Sequence, residues 1–159
     1  MQGDKKIIEI LNDVLTAELT AINQYFLHSE MCENWGYERL HHIIRKHSIG
    51  EMKHAEELIE RVLFLEGIPN VQRLGKINIG ENVPEILKLD LGLELEALPR
   101  LNKGIEVCRE AGDNNSRHLL EAILHDEEEH VDWIEAQLAL IEQVGAQNYL
   151  AQQIREDEE

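Results

Sequence analysis

The sequence predicts an all-α protein, with four long helices paired as two hairpins in a four-helix bundle and a short helix near the C-terminal end. Three observations carry this. Leu, Glu, Ala and Ile dominate a chain of 159 residues that has only 3 Pro and lacks the β-branched alternation of strands. Apolar residues recur at helical spacing through four stretches separated by Gly, Asn or Pro. One pattern also occurs twice, 76 residues apart: Glu18, Glu51 and His54 in the first half, and Glu94, Glu127 and His130 in the second. In both halves 33 residues separate the lone glutamate from the Glu-x-x-His pair.

Asp4 is a good N-cap for a first helix spanning about 4–34, with its apolar row at Ile7, Ile8, Leu11, Val14, Leu15, Ala21, Ile22 and Tyr25. Asn34-Trp35-Gly36 turns the chain into a second helix, about 37–66, which Gly67 and Pro69 stop. Residues 67–81 are too irregular for a helix and long for a turn. Extended, such a segment reaches about 50 Å, enough to travel the whole bundle and start the third helix parallel to the second. Asn82 and Pro84 open that helix, about 83–111, and Pro99 removes one of its internal hydrogen bonds, which predicts a bend. Asp113 to Ser116 open the fourth, about 114–144, carrying Leu119, Leu120, Ile123, Leu124, Val131, Ile134 and Leu138 until Gly145. A short helix follows at about 147–154, and the tail from Arg155 to Glu159 is expected to fray. No linker divides the chain, so one domain is expected over 1–159.

Composition narrows the function. With 43% hydrophobic and 4% aromatic residues there is enough for one core. Cys32 and Cys108 stand alone in helices, which argues against a disulfide framework or a thiolate zinc site and for reduced thiols. Met1-Gln2-Gly3-Asp4-Lys5 leads directly into an amphipathic pattern, so a soluble, cytoplasmic protein is expected, with no membrane partner. A formal charge of −17 disfavours nucleic acid and favours cations.

The repeat places its residues in space. Glu18 and Glu51 both lie about 25 Å from their shared turn, at equal height in an antiparallel pair, and Glu94 and Glu127 do the same. Glu and His three apart share a helical face. Packing the hairpins together brings Glu18, Glu51, His54, Glu94, Glu127 and His130 to mid-height. Four carboxylates in an apolar interior demand shared protons or cations, and two divalent ions would neutralise them. Oxygens with two nitrogens and no sulfur suit iron(II) or manganese(II), and accept zinc or cobalt. Any one of these glutamates, taken alone, reads as an interior side chain that is hydrogen-bonded or turned outward; the repeated spacing is what carries the metal reading. Tyr25, on the same face seven residues after Glu18, is a candidate donor or electron source, or simply a core tyrosine. Asp90 and Asp126 are candidates to orient ligand imidazoles, or ordinary surface acids. His28, His41, His42, His47, His118 and His125 lack the paired geometry and are left out.

Met52 is rotated away from the Glu51/His54 face and must look outward. Ile49 and Glu56 flank it, and Leu19, Ile22, Asn23 and Phe26 add a second apolar strip on the first helix. An apolar outer face implies a partner subunit. On a twofold axis two copies of Met52 would face one another, offering two thioether sulfurs that suit haem iron, or plain packing.

The segments Glu18-Leu19, Ala21-Ile22-Asn23-Gln24-Tyr25-Phe26-Leu27-His28, Glu51-Met52-Lys53-His54-Ala55, Leu63-Phe64-Leu65-Glu66-Gly67, Asp126-Glu127-Glu128-Glu129-His130 and Asn148-Tyr149-Leu150 resemble bacterioferritin over essentially the whole chain. The resemblance implies the ferritin-like form of the bundle, with a long crossover between second and third helices, and a hollow homo-oligomeric shell of 24 subunits. It implies a ferroxidase that oxidises iron(II) with dioxygen or hydrogen peroxide and stores ferric mineral. Two iron ions per subunit would be held, Glu51 and Glu127 bridging, Glu18 and His54 completing one site, Glu94 and His130 the other. One b-type haem per two subunits would take Met52 as axial ligand and serve electron entry for iron release, with a small ferredoxin as reductant. Asn34, Glu66, Asp132 and Asn148 match pore-lining positions. Arg45 departs from the residue type expected beside the haem, and either pairs with a propionate or crowds the pocket. Lys46 and Gly50 stand where many relatives carry a His and an Asp of an inner-wall iron site, so the resemblance does not extend to those two positions.

Two other functions compete. One is a freestanding dimetal oxidase or peroxidase resembling rubrerythrin, whose usual Cys-x-x-Cys iron domain is absent from this sequence; the other is an interaction bundle without metal.

Overall fold

The computed structural model describes residues 1–155; the expected frayed tail from Glu156 onward lies outside them. The described residues form five helices: α1 (Lys5–Asn34), α2 (Glu38–Phe64), α3 (Val83–Glu110), α4 (Asn114–Val144) and α5 (Ala146–Ala151). Asp4 caps α1, its carboxylate accepting from the Lys6 N–H at 2.7 Å, and Asn82 caps α3, accepting from the Glu85 N–H at 3.0 Å. At α4 the Asp113 carboxylate takes the Ser116 N–H and also binds Arg61 of α2 at 2.8 Å, tying the end of one hairpin to the turn of the other.

Both hairpin turns share one geometry. Gly36 and Gly112, 76 residues apart, adopt φ of 89° and 73°, a region that costs a side chain energy but not glycine. In the first turn the N–H of Tyr37 donates to Cys32 and that of Gly36 to Glu33; in the second Asp113 donates to Cys108 and Gly112 to Arg109. These are two Schellman closures, each satisfying carbonyls that the helix end would leave bare. α2 ends differently from the expectation. Glu66, not Gly67, takes the left-handed φ of 62°, and Gly67 is needed for space, since a Cβ there would lie 2.8 Å from Ile8 Cγ2. α3 runs through Pro99 without interruption. α5 occupies Ala146–Ala151, ending before the expected 154, with the Gln152 and Gln153 N–H groups closing tighter turns onto Tyr149 and Leu150.

The core falls into two apolar clusters. One holds Ile7 to Leu15 of α1, Ala55 to Val62 of α2, Leu101 and Cys108 of α3, and Leu120 and Ile123 of α4. The other holds Ala21 to Cys32, Leu40 and Ile44, Val83 to Leu87, Ile134, and Tyr149 of α5. α1 and α4 run from the first cluster to the second, and α2 and α3 run back. Parallel α2 and α3 oblige the intervening chain to travel the length of the bundle, which it does along α1. Asn70 N donates to Asn12 Oδ1 (2.9 Å), Arg73 Nε to Thr16 Oγ1 (2.9 Å), Gly75 N to Thr20 Oγ1 (2.8 Å), Asn78 N to Gln24 Oε1 (3.0 Å) and Gly80 N to His28 Nε2 (3.1 Å). The five α1 residues are spaced by four and form one polar rail. Between the two apolar clusters, at the height of residues 18, 51, 94 and 127, lies a polar layer.

Candidate metal centre

The polar layer consists of the six residues singled out by the repeat. Glu18, Glu51, His54, Glu94 and Glu127 are buried, and His130 nearly so. Each imidazole turns Nδ1 toward three carboxylates. His54 Nδ1 lies 3.5 Å from Glu18 Oε2, 3.6 Å from Glu51 Oε2 and 3.3 Å from Glu127 Oε1. His130 Nδ1 lies 3.4 Å from Glu94 Oε1, 3.1 Å from Glu51 Oε1 and 3.9 Å from Glu127 Oε2. Glu51 and Glu127 therefore divide their two oxygens between the imidazoles, while Glu18 and Glu94 each serve one.

Glu18 Oε2, both oxygens of Glu51, His54 Nδ1, Glu94 Oε2 and Glu127 Oε1 are buried with no hydrogen-bond partner. An uncompensated buried carboxylate costs several kcal/mol, about as much as burying one or two leucines contributes, so four of them would cancel much of one apolar cluster. Without cations the layer keeps protons. Burial pushes Glu94 up to about 8, reinforced by Glu127. Burial raises Glu127 as well. Burial alone would discharge the imidazoles, but Glu127 and Glu51 outweigh it for His54, lifting it to about 11, and Glu51 and Glu94 lift His130 to about 10. The oxygen and nitrogen atoms form two ligand groups that share Glu51 and Glu127, and each group could hold one metal ion. Two further acid and histidine groups, Glu30/Glu33/His41 with only His41 buried, and the largely exposed His125/Asp126/Glu129, also have ligand-like spacing.

Around the layer the outcomes differ. Asp126 Oδ2 lies 2.7 Å from His54 Nε2, the orienting contact anticipated for it. Asp90 does not orient a candidate ligand. It is buried, and its Oδ1 accepts from Gln24 Nε2 at 2.9 Å and from His28 Nδ1 at 2.8 Å. Because His28 Nε2 accepts the Gly80 N–H, the ring proton belongs on Nδ1, and the ring links the crossover to α3. The polar rail on α1 was the signal for His28, which spacing around the glutamates could not reveal. The Tyr25 O–H donates to Glu94 Oε1, and burial with the nearby Glu94 charge holds the phenol well above its usual range. His47, also left out by spacing, lies tilted over the His130 ring at 4.3 Å between ring centroids and edge-on to Trp133 at 5.0 Å. Burial and the His130 charge push it down to about 3. A cavity of about 330 Å³ extends from Gly75, Lys76 and Asn78 of the crossover, past Lys88, Gly92 and Arg100, to Tyr25 and the four carboxylates.

Residues 8–144 match the ferritin-like domain family. The chain is 51% identical over 152 residues to the bacterioferritin of Mycobacterium leprae, covering 96% of each chain. It is 50% identical to that of Streptomyces coelicolor, covering 95% of this chain and 90% of the relative, and 44% identical to that of Brucella melitensis, covering 94% and 92%.

This chain belongs to the bacterioferritin family.

In this bacterioferritin-family fold Met52 stands apart from the polar layer, 54% exposed on the outer face of α2, and Ile49 of α2 and Phe26 of α1 are exposed as well. Arg45 shares that face, one turn before Ile49. Asn34, Glu66, Asp132 and Asn148 are all exposed. Among the described residues no helix is long and apolar enough to cross a membrane.

Proposed function

We propose that the chain oxidises, stores and detoxifies iron. Two iron(II) ions bind as substrate, one to Glu18 and His54, the other to Glu94 and His130, with Glu51 and Glu127 bridging. Each ion gives one electron to dioxygen or hydrogen peroxide; with peroxide, two iron(II), one H2O2 and two protons yield two iron(III) and two waters. The single observation behind this reading is a buried layer in which two imidazoles each face three carboxylates, with most of those glutamates keeping an unpartnered oxygen. Carboxylate oxygens and imidazole nitrogens suit iron(II). Family membership over nearly the full chain favours a store over the freestanding rubrerythrin-like oxidase.

The store is a cytoplasmic shell of 24 subunits, with ferric mineral inside. Met52 would be the residue that holds a b-type haem between two subunits. The residues present fit that group, since an exposed thioether, Ile49 and Phe26 leave an apolar strip open on α2 and α1, and Arg45 supplies a cation for a propionate. When bound, the haem supplies a one-electron relay for iron release, fed by a small ferredoxin.

Iron(II) added to metal-free protein tests the site. Two ions per chain should bind without oxygen. Glu18→Ala or Glu94→Ala should abolish rapid oxidation in stopped-flow absorbance while sedimentation still finds a particle of hundreds of kilodaltons; oxidation at the original rate would overturn the assignment. Iron uptake that stops at two ions per chain would mark an enzyme and not a store.

A further inference from the structure

The two candidate imidazoles are held in different ways. His54 has a carboxylate on its second nitrogen, Asp126 at 2.7 Å. The 76-residue repeat that carries His54 onto His130 carries Asp126 onto position 50, and position 50 is glycine. A Cβ built there meets nothing within 4 Å, so the place for a side chain is open. Among the described residues nothing hydrogen-bonds His130 Nε2. Its ring is instead covered by His47, one helical turn before Glu51 on α2, with ring centroids 4.3 Å apart and an interplanar angle of 35°. His47 is in turn braced edge-on by Trp133 at 5.0 Å, and Trp133 follows His130 by three on α4. Glu51 thus meets the ring of His130 at Nδ1, and His47 meets its face.

We propose that His47 is a positioning residue that does for His130 what Asp126 does for His54, by ring contact in place of a hydrogen bond, and that the Glu94/His130 half binds its ion more weakly as a result. The proposal rests on the metal-site reading above. A ring contact fixes position but not rotation about the ring normal, whereas a charge-assisted hydrogen bond on Nε2 fixes both. Contacts that orient a metal-bound imidazole are worth about 10–100-fold in metal affinity, and the half with the less directional contact is the softer one.

Cobalt(II) titration of the assembled, metal-free protein tests this, followed by the visible cobalt absorption and by calorimetry. Two steps are expected in the wild type, with Glu18→Ala and Glu94→Ala identifying them by which step each removes. His47→Ala should weaken only the step that Glu94→Ala removes, by about tenfold or more. His47→Phe, which keeps a ring but no nitrogen, should restore it. Gly50→Asp should tighten that same step by a comparable factor at an unchanged two ions per chain. The proposal is overturned if His47→Ala leaves both steps unchanged or weakens both equally, or if His47→Phe binds as poorly as His47→Ala, which would make His47 a ligand. A third ion in Gly50→Asp with the second step unchanged overturns the comparison with Asp126. A wild-type chain that takes up no cobalt overturns the metal-site reading itself, and this proposal with it.

Discussion

Loading the polar layer with metal should expel protons, in a number the site's own chemistry gives. In the free protein at neutral pH His54 and His130, lifted to about 11 and about 10, are both imidazolium, and Glu94, lifted to about 8, is largely protonated. All three present metal-binding atoms that must be unprotonated to serve, so two divalent ions displace one proton from each, about three per chain. Four carboxylates with three protons on the cluster carry about one negative charge, and with two dications in their place about none, so either state is close to neutral in the low-dielectric interior. Three released protons make the two-ion binding constant rise about a thousandfold per pH unit below pH 8, each proton contributing about 1.4 kcal/mol per unit. Zinc(II) serves for the measurement because it does no redox chemistry. Calorimetric titrations near pH 7 in buffers of different ionisation enthalpy give the proton count from the slope of observed enthalpy. Glu94→Gln should lower that count by about one. A release below about one proton per two zinc ions would refute the account of how the free site balances its charge.

The same protons act on stability. Native Glu94, His54 and His130 bind protons more tightly than their unfolded references of 4.5 and 6.5, so the metal-free fold should lose stability as pH rises, the Glu94 share between about 4.5 and 8 and the histidine share from about 6.5 upward. Thermal midpoints should fall between pH 5 and 9 without metal and flatten with zinc; a metal-free midpoint that rises across that range contradicts the assignment. Met52→Leu should eliminate the haem Soret band after reconstitution and leave particle size and iron oxidation unchanged, and an unaltered haem spectrum would remove Met52 from that role. His28→Ala strips partners from the Gly80 N–H and from Asp90, two buried groups at about 1–3 kcal/mol each, so the midpoint should drop and the Gly80 amide should exchange faster; native exchange at Gly80 would show that the rail does not hold the crossover.

What the sequence made legible was whatever is set by spacing along one helix. The caps at Asp4 and Asn82, the turns at Gly36 and Gly112, and the common height of Glu18, Glu51, Glu94 and Glu127 follow from rise per residue and local backbone preference, and need no knowledge of how the helices pack. What escaped depends on a second element. In the sequence Asp90 is a candidate to orient a ligand imidazole or an ordinary surface acid, and it is neither, because its partners Gln24 and His28 come from α1 and bury it. His47 has no glutamate three residues before it, and a ring contact across α2 and α4 leaves no mark on either helix alone. The rail is an intermediate case. Asn12, Thr16, Thr20, Gln24 and His28 form a polar row at a spacing of four that is visible in the sequence, but only the path of the crossover shows what the row as a whole holds.

Duplicated spacing makes the two halves of the site alike, and single departures from the duplication make them unlike. Carried forward by 76 residues, Tyr25 becomes Leu101, so a phenol O–H reaches one lone glutamate, Glu94, and no repeat of it reaches Glu18. Carried back, Asp126 becomes Gly50, so a carboxylate holds one imidazole and only a ring covers the other. Both departures fall on the same half. Glu94 is drawn toward a donor that competes with a metal for its oxygen, and His130 lacks the hydrogen bond that would stiffen it. On the metal reading proposed above, ions entering this pair of sites should meet unequal affinities and fill them in order. The cavity from the crossover reaches all four carboxylates, so the order is set by how firmly each half is held and not by which half the cavity touches.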